Sequence, residues 1–305
     1  MKAFTVERPG TLVDALALKA GKTWLAGGQS LLASMKLGMN QADALIDLQD
    51  VPELRGINIF GSPSVLQLGA MQIHASIGNA QAVRAFCPGL VELANGIADQ
   101  QVRNMGTIGG AVANNDPAAC WPAGVLALNA TIVSSKRELS ADEFFTGIFA
   151  TTLGEDELLT QIQFPRPTAF KYLKFEQPAS RFALLGVAVA CFGPRVRVAI
   201  TGLGQGVQRW GEAEQALCKS FAPAALEGLV FPIEQAMSDL HASAQYRAHL
   251  ALVLCRRAVQ SITRDTPSTL DTHPSVSRRP SLLARARVGI HAIFLAKRSS
   301  DDPAI

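Results

Sequence analysis

Residues 103–117 read Arg-Asn-Met-Gly-Thr-Ile-Gly-Gly-Ala-Val-Ala-Asn-Asn-Asp-Pro. Gly106, Gly109 and Gly110 fall within five positions, with the hydroxyl of Thr107 between them. The stretch has almost no bulk, and it reads as a loop rather than a packed helix. Glycine lets backbone approach a ligand closely and adopt dihedrals closed to other residues. A run of free N–H groups in such a loop forms an anion-binding concavity. A tight turn between two strands is the alternative, because glycine clusters mark turns generally.

A second stretch bears on that choice. Residues 25–37 read Leu-Ala-Gly-Gly-Gln-Ser-Leu-Leu-Ala-Ser-Met-Lys-Leu, preceded by Thr23 and Trp24. The order is strand, glycine turn at Gly27 and Gly28, then a short helix from Leu31 to Leu37. N–H groups at such a helix start are free to bind phosphate. Neither stretch has the Gly-Lys-Ser/Thr of a P-loop, and neither gives Gly-x-Gly-x-x-Gly. Two phosphate-type loops about eighty residues apart suggest one diphosphate held from two sides.

Ala-Gly-Gly-Gln-Ser-Leu-Leu at 26–32 with Met35-Lys36-Leu37, and Arg-Asn-x-Gly-Thr-Ile-Gly-Gly at 103–110 with Asp116-Pro117, resemble a known pair of motifs. They are similar to the two FAD-binding signatures of the flavin subunit of molybdenum hydroxylases. That family includes the medium chain of aerobic carbon monoxide dehydrogenase and the flavin domain of xanthine dehydrogenase. The similarity runs from about residue 1 to about residue 260, with both motifs in the family's order and spacing.

The resemblance implies an α+β chain: a two-subdomain FAD-binding fold of the PCMH type, then a smaller α+β C-terminal domain with a three-stranded antiparallel sheet and helices. It implies FAD as cofactor, wrapped at the diphosphate by Ala26, Gly27, Gly28, Gln29, Ser30 and Leu31 and by Thr107, Ile108, Gly109, Gly110 and Ala111. Carried over by position, Ile97 packs by the flavin, Asp116 approaches the ribityl chain, and Leu159 and Lys174 match cofactor-contacting positions. An exposed strand lysine is the plainer reading of Lys174. The implied partners are a small 2Fe-2S subunit and a large molybdopterin subunit. Electrons would pass from the partner clusters through FAD to NAD⁺, a quinone or oxygen.

One position departs from the family pattern. The family loop often ends Asp-Pro-Ala-x-Asp, and its last aspartate hydrogen-bonds the flavin's sugar chain. Here the run is Asp116-Pro117-Ala118-Ala119-Cys120. A thiol is a weak donor and a weak acceptor. Either Asn114, Asn115 or Asp116 takes that role, or the cofactor is held less tightly, or Cys120 is a small core residue.

Composition bounds the alternatives. With 305 residues, 48% hydrophobic and 17% charged, the chain has ample material for two or three compact units. Its longest apolar runs, such as 182–192, are too short to span a bilayer. The start, Met-Lys-Ala-Phe-Thr-Val-Glu, lacks a signal peptide's apolar stretch. Together these point to the cytoplasm. Cys87, Cys120, Cys191, Cys218 and Cys255 are never closer than 27 residues, which argues against an iron–sulfur cluster in this chain. The histidines, His74, His241, His249, His273 and His291, have no metal-ligand spacing and read as surface or helix residues. No metal site and no acid–base pair is expected, so any chemistry belongs to the cofactor. Of 28 basic and 25 acidic residues, seven and four fall in 261–305, so the body is balanced and gives no basic patch for nucleic acid.

Residues 1–55 read as a small α/β subdomain, with Thr11 and Asp14 capping a helix. Residues 56–167 open with a hairpin, strands at 56–60 and 65–69. Helices follow at 77–86, capped by Ser76, and at 90–97. A buried apolar segment at 125–133, a helix at 139–147 and a strand at 157–164 complete the unit. Residues 168–262 form strands at 170–176, 183–192 and 195–203, then helices at 212–218, 223–229 and 244–260. Residues 263–305 read as a disordered basic tail rich in Ser, Thr and Pro. A basic amphipathic helix at 282–297 is the alternative there, for a membrane or partner contact.

Two other functions fit parts of this reading. An autonomous FAD oxidase or dehydrogenase would favour a His or Cys for covalent flavin attachment near the first glycine loop, and none stands there. A non-catalytic assembly chain that has lost FAD would fit the Cys120 departure.

Overall fold

The computed structural model describes residues 2–265. Strand β1 (Thr5–Glu7), helix α1 (Leu12–Ala17), β2 (Thr23–Leu25), α2 (Leu31–Lys36) and β3 (Ala44–Asp47) come first. Thr11 caps α1 by accepting from the Asp14 N–H at 3.1 Å. The three strands form a parallel sheet in the order β1-β3-β2, with Val6 and Trp24 opposite Leu45 and Ile46. Ile46, Leu48, Leu54, Met71 and Leu158 share one core, so this sheet is seated on the segment that follows it.

Strands β4 (Ile57–Phe60) and β5 (Val65–Gly69) form the expected hairpin. Helices α3 (His74–Asn79), α4 (Gln81–Phe86), α5 (Pro88–Asn95), α6 (Gln100–Met105), α7 (Ile108–Asn114) and α8 (Cys120–Ala127) come next. Then follow β6 (Thr131–Ser134), β7 (Glu138–Ser140), α9 (Ala141–Phe144), β8 (Phe145–Gly147), β9 (Ala150–Thr151) and β10 (Leu159–Pro165). An antiparallel sheet runs β4-β5-β10-β6-β7. Its inner residues Leu66, Leu68, Ile132, Ile162 and Phe164 pack in one core with Ile77, Leu90, Trp121 and Val125 of the helices.

Several expectations need correction here. The expected helix at 77–86 is two helices, broken at Ala80, whose ψ of 117° is extended. Ser76 lies inside α3 and caps nothing. Gly78 and Asn79 are poor helix formers, and the Asn95 side chain donates to the Gly78 carbonyl at the break. The segment at 125–133 divides between the end of α8 and β6, because α8 is buried on every side. The expected helix at 139–147 is strand, one helical turn and strand. Ser140 caps that turn: its hydroxyl accepts from the Glu143 N–H and donates to the Glu143 carboxylate.

The last part comprises β11 (Ala169–Glu176), β12 (Ala183–Phe192), β13 (Arg195–Thr201), β14 (Gln208–Arg209), α10 (Gly211–Lys219) and α11 (Ala244–Asp265). The antiparallel sheet β11-β12-β13-β14 has the three expected strands plus a short fourth. The helix expected at 223–229 is a single 3-10 turn, Pro223–Leu226. Strand β12 belongs to two cores. Its even positions Ala188 and Ala190 face the helix-rich core, while Leu185, Val187 and Val189 face Leu254, Cys255 and Ala258 of α11. The two-residue alternation of a strand sorts small side chains to one side and large ones to the other. Buried Arg247 of α11 donates to the carbonyls of Leu184 and Gly202 and pairs with Asp239, locking helix to sheet.

Helix α11 continues to Asp265, past the boundary expected at 262. The tail expectations for 266–305 lie outside the described residues. Among the described residues no helix is long and apolar enough to cross a membrane.

Candidate functional site

The two glycine stretches meet. Gly27 lies so close to the second loop that a Cβ there would strike the Met105 carbonyl and come within 2.8 Å of the Gly106 Cα. A Cβ on Gly110 would stand 3.4 Å from that of Ala26. Between them opens a cleft of about 300 Å³. Ala26, Gly27, Gly28, Gln29, Ser30 and Leu31 line one side, and Thr107, Gly109, Gly110 and Ala111 the other. Leu159 lines it from β10. Ile108 points into the main core instead.

The first loop is built to present backbone. Gly28 has φ of +71°, the left-handed region that glycine occupies without strain. The N–H groups of residues 27–31 donate to nothing among the described residues, and Ser30 makes no side-chain cap on α2. The Gln29 amide folds back on the Gly27 carbonyl at 3.1 Å.

The second loop is different, and the expectation of a non-helical run of free N–H groups fails. Residues from Ile108 onward are helix α7, with Thr107 as N-cap. Ile108 N–H donates to Gln72, Gly109 N–H to Ala70, Gly110 N–H to the Thr107 hydroxyl, and Ala111 N–H to the Thr107 carbonyl. Gly109 has no side chain because Ala70 is there: a Cβ would sit 2.5 Å from the Ala70 Cβ and 2.7 Å from its carbonyl oxygen. These glycines serve close backbone packing, and the low bulk of the stretch is what lets α7 nest against the β5–α3 turn.

Besides Ile108, three residues of the expected set stand outside this cleft. Ile97 packs at the edge of the main core, in the link between α5 and α6. That link is held by Arg103, which donates to the Ile97 and Ala98 carbonyls at 2.8 and 2.7 Å. Lys174 holds it from the other side, donating to the Gly96 carbonyl at 2.7 Å. The Lys174 side chain is only 10% exposed, so it is not the exposed strand lysine of the plainer reading. Asp116 lines a separate hollow of about 360 Å³ with Phe149 and Phe182. Burial pushes its carboxyl pKa up, against the Ala118 N–H that it accepts. Asn115, fully buried with φ of 43°, closes α7 and donates to the Gly147 and Ala150 carbonyls. Cys120 belongs to the main core beside the Tyr172 hydroxyl, and burial raises its thiol pKa.

Other cleft residues carried no legible signal in the sequence. His74, expected as a surface or helix residue, is the first residue of α3 but is 4% exposed and lines the cleft. Burial, then the charge of Arg103, lowers its pKa to about 4. Glu157 lines the cleft too; hydrogen bonds from Arg137 foremost hold its pKa down at about 2. Its carboxylate also accepts from Ser134 and the Gly154 N–H, so its charge is answered within the protein. Only contacts across the fold, with Trp121 for the first and Arg137 for the second, reveal either residue.

This pair of meeting loops borders one cleft, and the first loop leaves its backbone N–H groups unspent, the kind of donor set that an anion such as a diphosphate takes. The chain belongs to the family described as FAD binding domain in molybdopterin dehydrogenase, which matches residues 2–167. It is similar to the nicotine 6-hydroxylase medium subunit of Paenarthrobacter nicotinovorans, at 34% identity over 85% of this chain and 97% of that one. It is similar also to the carbon monoxide dehydrogenase medium chain of Hydrogenophaga pseudoflava, at 33% over 85% and 96%. A solved structure of that organism's carbon monoxide dehydrogenase, lacking the Mo-pyranopterin moiety, superposes with a TM-score of 0.79 over 86% of this chain and 98% of that one. FAD is the cofactor of the family, and the chain is a flavin-binding medium subunit of molybdenum-hydroxylase type. The residues present fit it. The left-handed Gly28 and the unpaired N–H groups beside it offer donors to an anion where a side chain would obstruct.

Proposed function

We propose that the chain is the FAD-carrying electron-transfer subunit of a molybdopterin-containing hydroxylase or dehydrogenase. The observation that carries this is the run of unpartnered backbone N–H groups at residues 27–31, all in residues that line the cleft. Bound FAD supplies one- and two-electron chemistry of its own. Residues 26–31 hold the diphosphate by backbone donors, and Thr107, Gly109, Gly110 and Ala111 form the opposing wall. Ile108 anchors that wall in the core, and Leu159 gives an apolar surface. Ile97, Asp116 and Lys174, outside the cleft, are proposed contacts for the cofactor's other end. The division at residues 55 and 167 is proposed to separate two cofactor-binding units from a C-terminal one that runs on through α11 to Asp265.

The partners we infer are a small 2Fe-2S subunit delivering electrons and a large molybdopterin subunit that hydroxylates the substrate, with NAD⁺, a quinone or oxygen as final acceptor. Relatives named as medium chains or subunits support a multi-subunit assembly. The described cysteines are all free thiols, which suits the reducing cytoplasm. Hydroxylation is assigned to the large partner, in keeping with relatives named as medium subunits of hydroxylases and dehydrogenases.

Paired assays on one preparation test this reading. The purified chain is expected to show flavin absorption and at most diaphorase activity, passing electrons from NADH or a reduced dye to an artificial acceptor. Substrate hydroxylation is expected only with both partners co-expressed. Hydroxylation by the chain alone would establish an autonomous flavoenzyme instead.

A further inference from the structure

His74 is a buried polar side chain in the wall of the cleft. Its Nδ1 accepts a hydrogen bond from the indole Nε1 of Trp121 at 3.1 Å. A neutral imidazole that accepts at Nδ1 carries its proton on Nε2. Trp121 is fully buried on α8, and its ring lies 6.3 Å from the imidazole, centroid to centroid. The tautomer is therefore fixed from inside the core.

The Nε2–H end points the other way. It donates to no group among the described residues, although the side chain is almost wholly buried and lines the cleft. It lies over Gly106, where an added Cβ would stand 2.9 Å from Nε2. That explains the glycine at 106: a side chain there would cover the imidazole nitrogen. Nε2 lies beside the backbone of Gly106, which the Gly27 backbone adjoins. Nε2 is not among the wholly buried polar atoms that lack a partner, so this end of the ring is open to the cleft, where a charged acceptor makes the stronger hydrogen bond.

We propose that His74 is a cofactor-binding residue, donating Nε2–H to a diphosphate oxygen of FAD, with Trp121 as the positioning residue that fixes its tautomer. The inference rests on the cleft holding FAD as proposed above. The neutral state follows from the surroundings: burial foremost disfavours the charged ring, and the nearby Arg103 opposes a second positive charge. His74 thus contributes direction rather than charge. The donors of residues 27–31 come from one side of the cleft, and His74 adds one beneath the second loop, whose own N–H groups at 108–111 are spent.

The test uses the full chain, stripped of flavin and titrated with FAD by fluorescence quenching. His74→Ala and the ring-retaining His74→Phe are expected to weaken FAD by about tenfold or more, the loss of one charge-assisted hydrogen bond. In the wild-type protein, long-range ¹H–¹⁵N spectra should show His74 protonated at Nε2 alone, with that resonance moving on FAD addition. The ³¹P resonances of bound FAD should differ between wild type and His74→Phe. Trp121→Phe should give a mixture of tautomers and a smaller loss of affinity. If the wild type takes up no FAD, the reading of the cleft fails. If it takes up FAD while the His74 variants bind as tightly, or while the Nε2 resonance is unmoved, the His74 assignment alone is overturned. The spectra on the wild type decide the matter even if the variants do not fold.

Discussion

At residues 27–31 the backbone N–H groups have no partner among the described residues, whereas at 108–111 each one donates inside the protein. Both stretches are glycine-rich, and both border the same cleft. In the first, glycine supplies a left-handed turn, and the N–H groups around it are left unpaired. In the second, glycine lets a helix lie directly on the backbone of Ala70. One loop leaves its donors unspent and the other spends them holding the wall in place. Substitutions should therefore separate: cofactor binding fails in the first, folding in the second.

The largest separation is expected at Gly109. Gly109→Val places atoms on the Ala70 backbone, which cannot yield as a flexible side chain would. We expect a loss of about 3 kcal/mol or more in denaturant unfolding, the upper range for overpacking. Gly10→Ala, where an added Cβ meets nothing within 4 Å, should be near neutral by the same measurement. Equal effects at both positions would remove the packing role of the second loop.

Acid should find the second loop through His74. The folded pKa of about 4 lies below the ordinary 6.5, so the unfolded chain binds the proton first. Stability is full above about pH 6.5 and falls as the pH drops towards 4, by about 3 kcal/mol in all. His74→Phe should flatten this part of the pH–stability curve, and an unchanged slope would mean that other groups set it.

Smaller effects come from the first loop. Gly28→Ala imposes a φ of +71° on a residue with a Cβ, at a cost of about 1–2 kcal/mol. Its FAD affinity should fall by about tenfold as the run of donors shifts. Smallest of all is a comparison of caps. Thr107 accepts from the Gly110 N–H at 3.1 Å, whereas Ser30 caps nothing. Thr107→Ala should cost about 1 kcal/mol, and Ser30→Ala should leave stability within a few tenths. Thermal melts of the flavin-free variants check both.

Much of the fold was legible in the sequence because its signals are local. The Thr11–Asp14 cap, the glycine turn before Leu31 and the hairpin at 57–69 each rest on neighbouring residues. Strand β12 was readable as a long apolar run, although its service to two cores was not. The errors came where distant contacts decide. Residues 108–114 look too light for a helix, yet Ala70 and Gln72 accept its first N–H groups and the Thr107 hydroxyl another. Asn95, far along the chain, sits at the break after Gly78. In the site, the two glycine motifs were visible, and so was Leu159 by resemblance. His74 was hidden because its meaning depends on Trp121, 47 residues away.

Hydrogen exchange of backbone amides, with and without FAD, tests the asymmetry of the two loops most directly. Amides at 108–111 are expected to be protected before FAD is added and little changed by it, since their bonds already exist. Amides at 27–31 are expected to exchange freely in the flavin-free chain and to become protected when FAD binds. Protection gained at 108–111 with none at 27–31 would contradict the assignment of donors to the first loop.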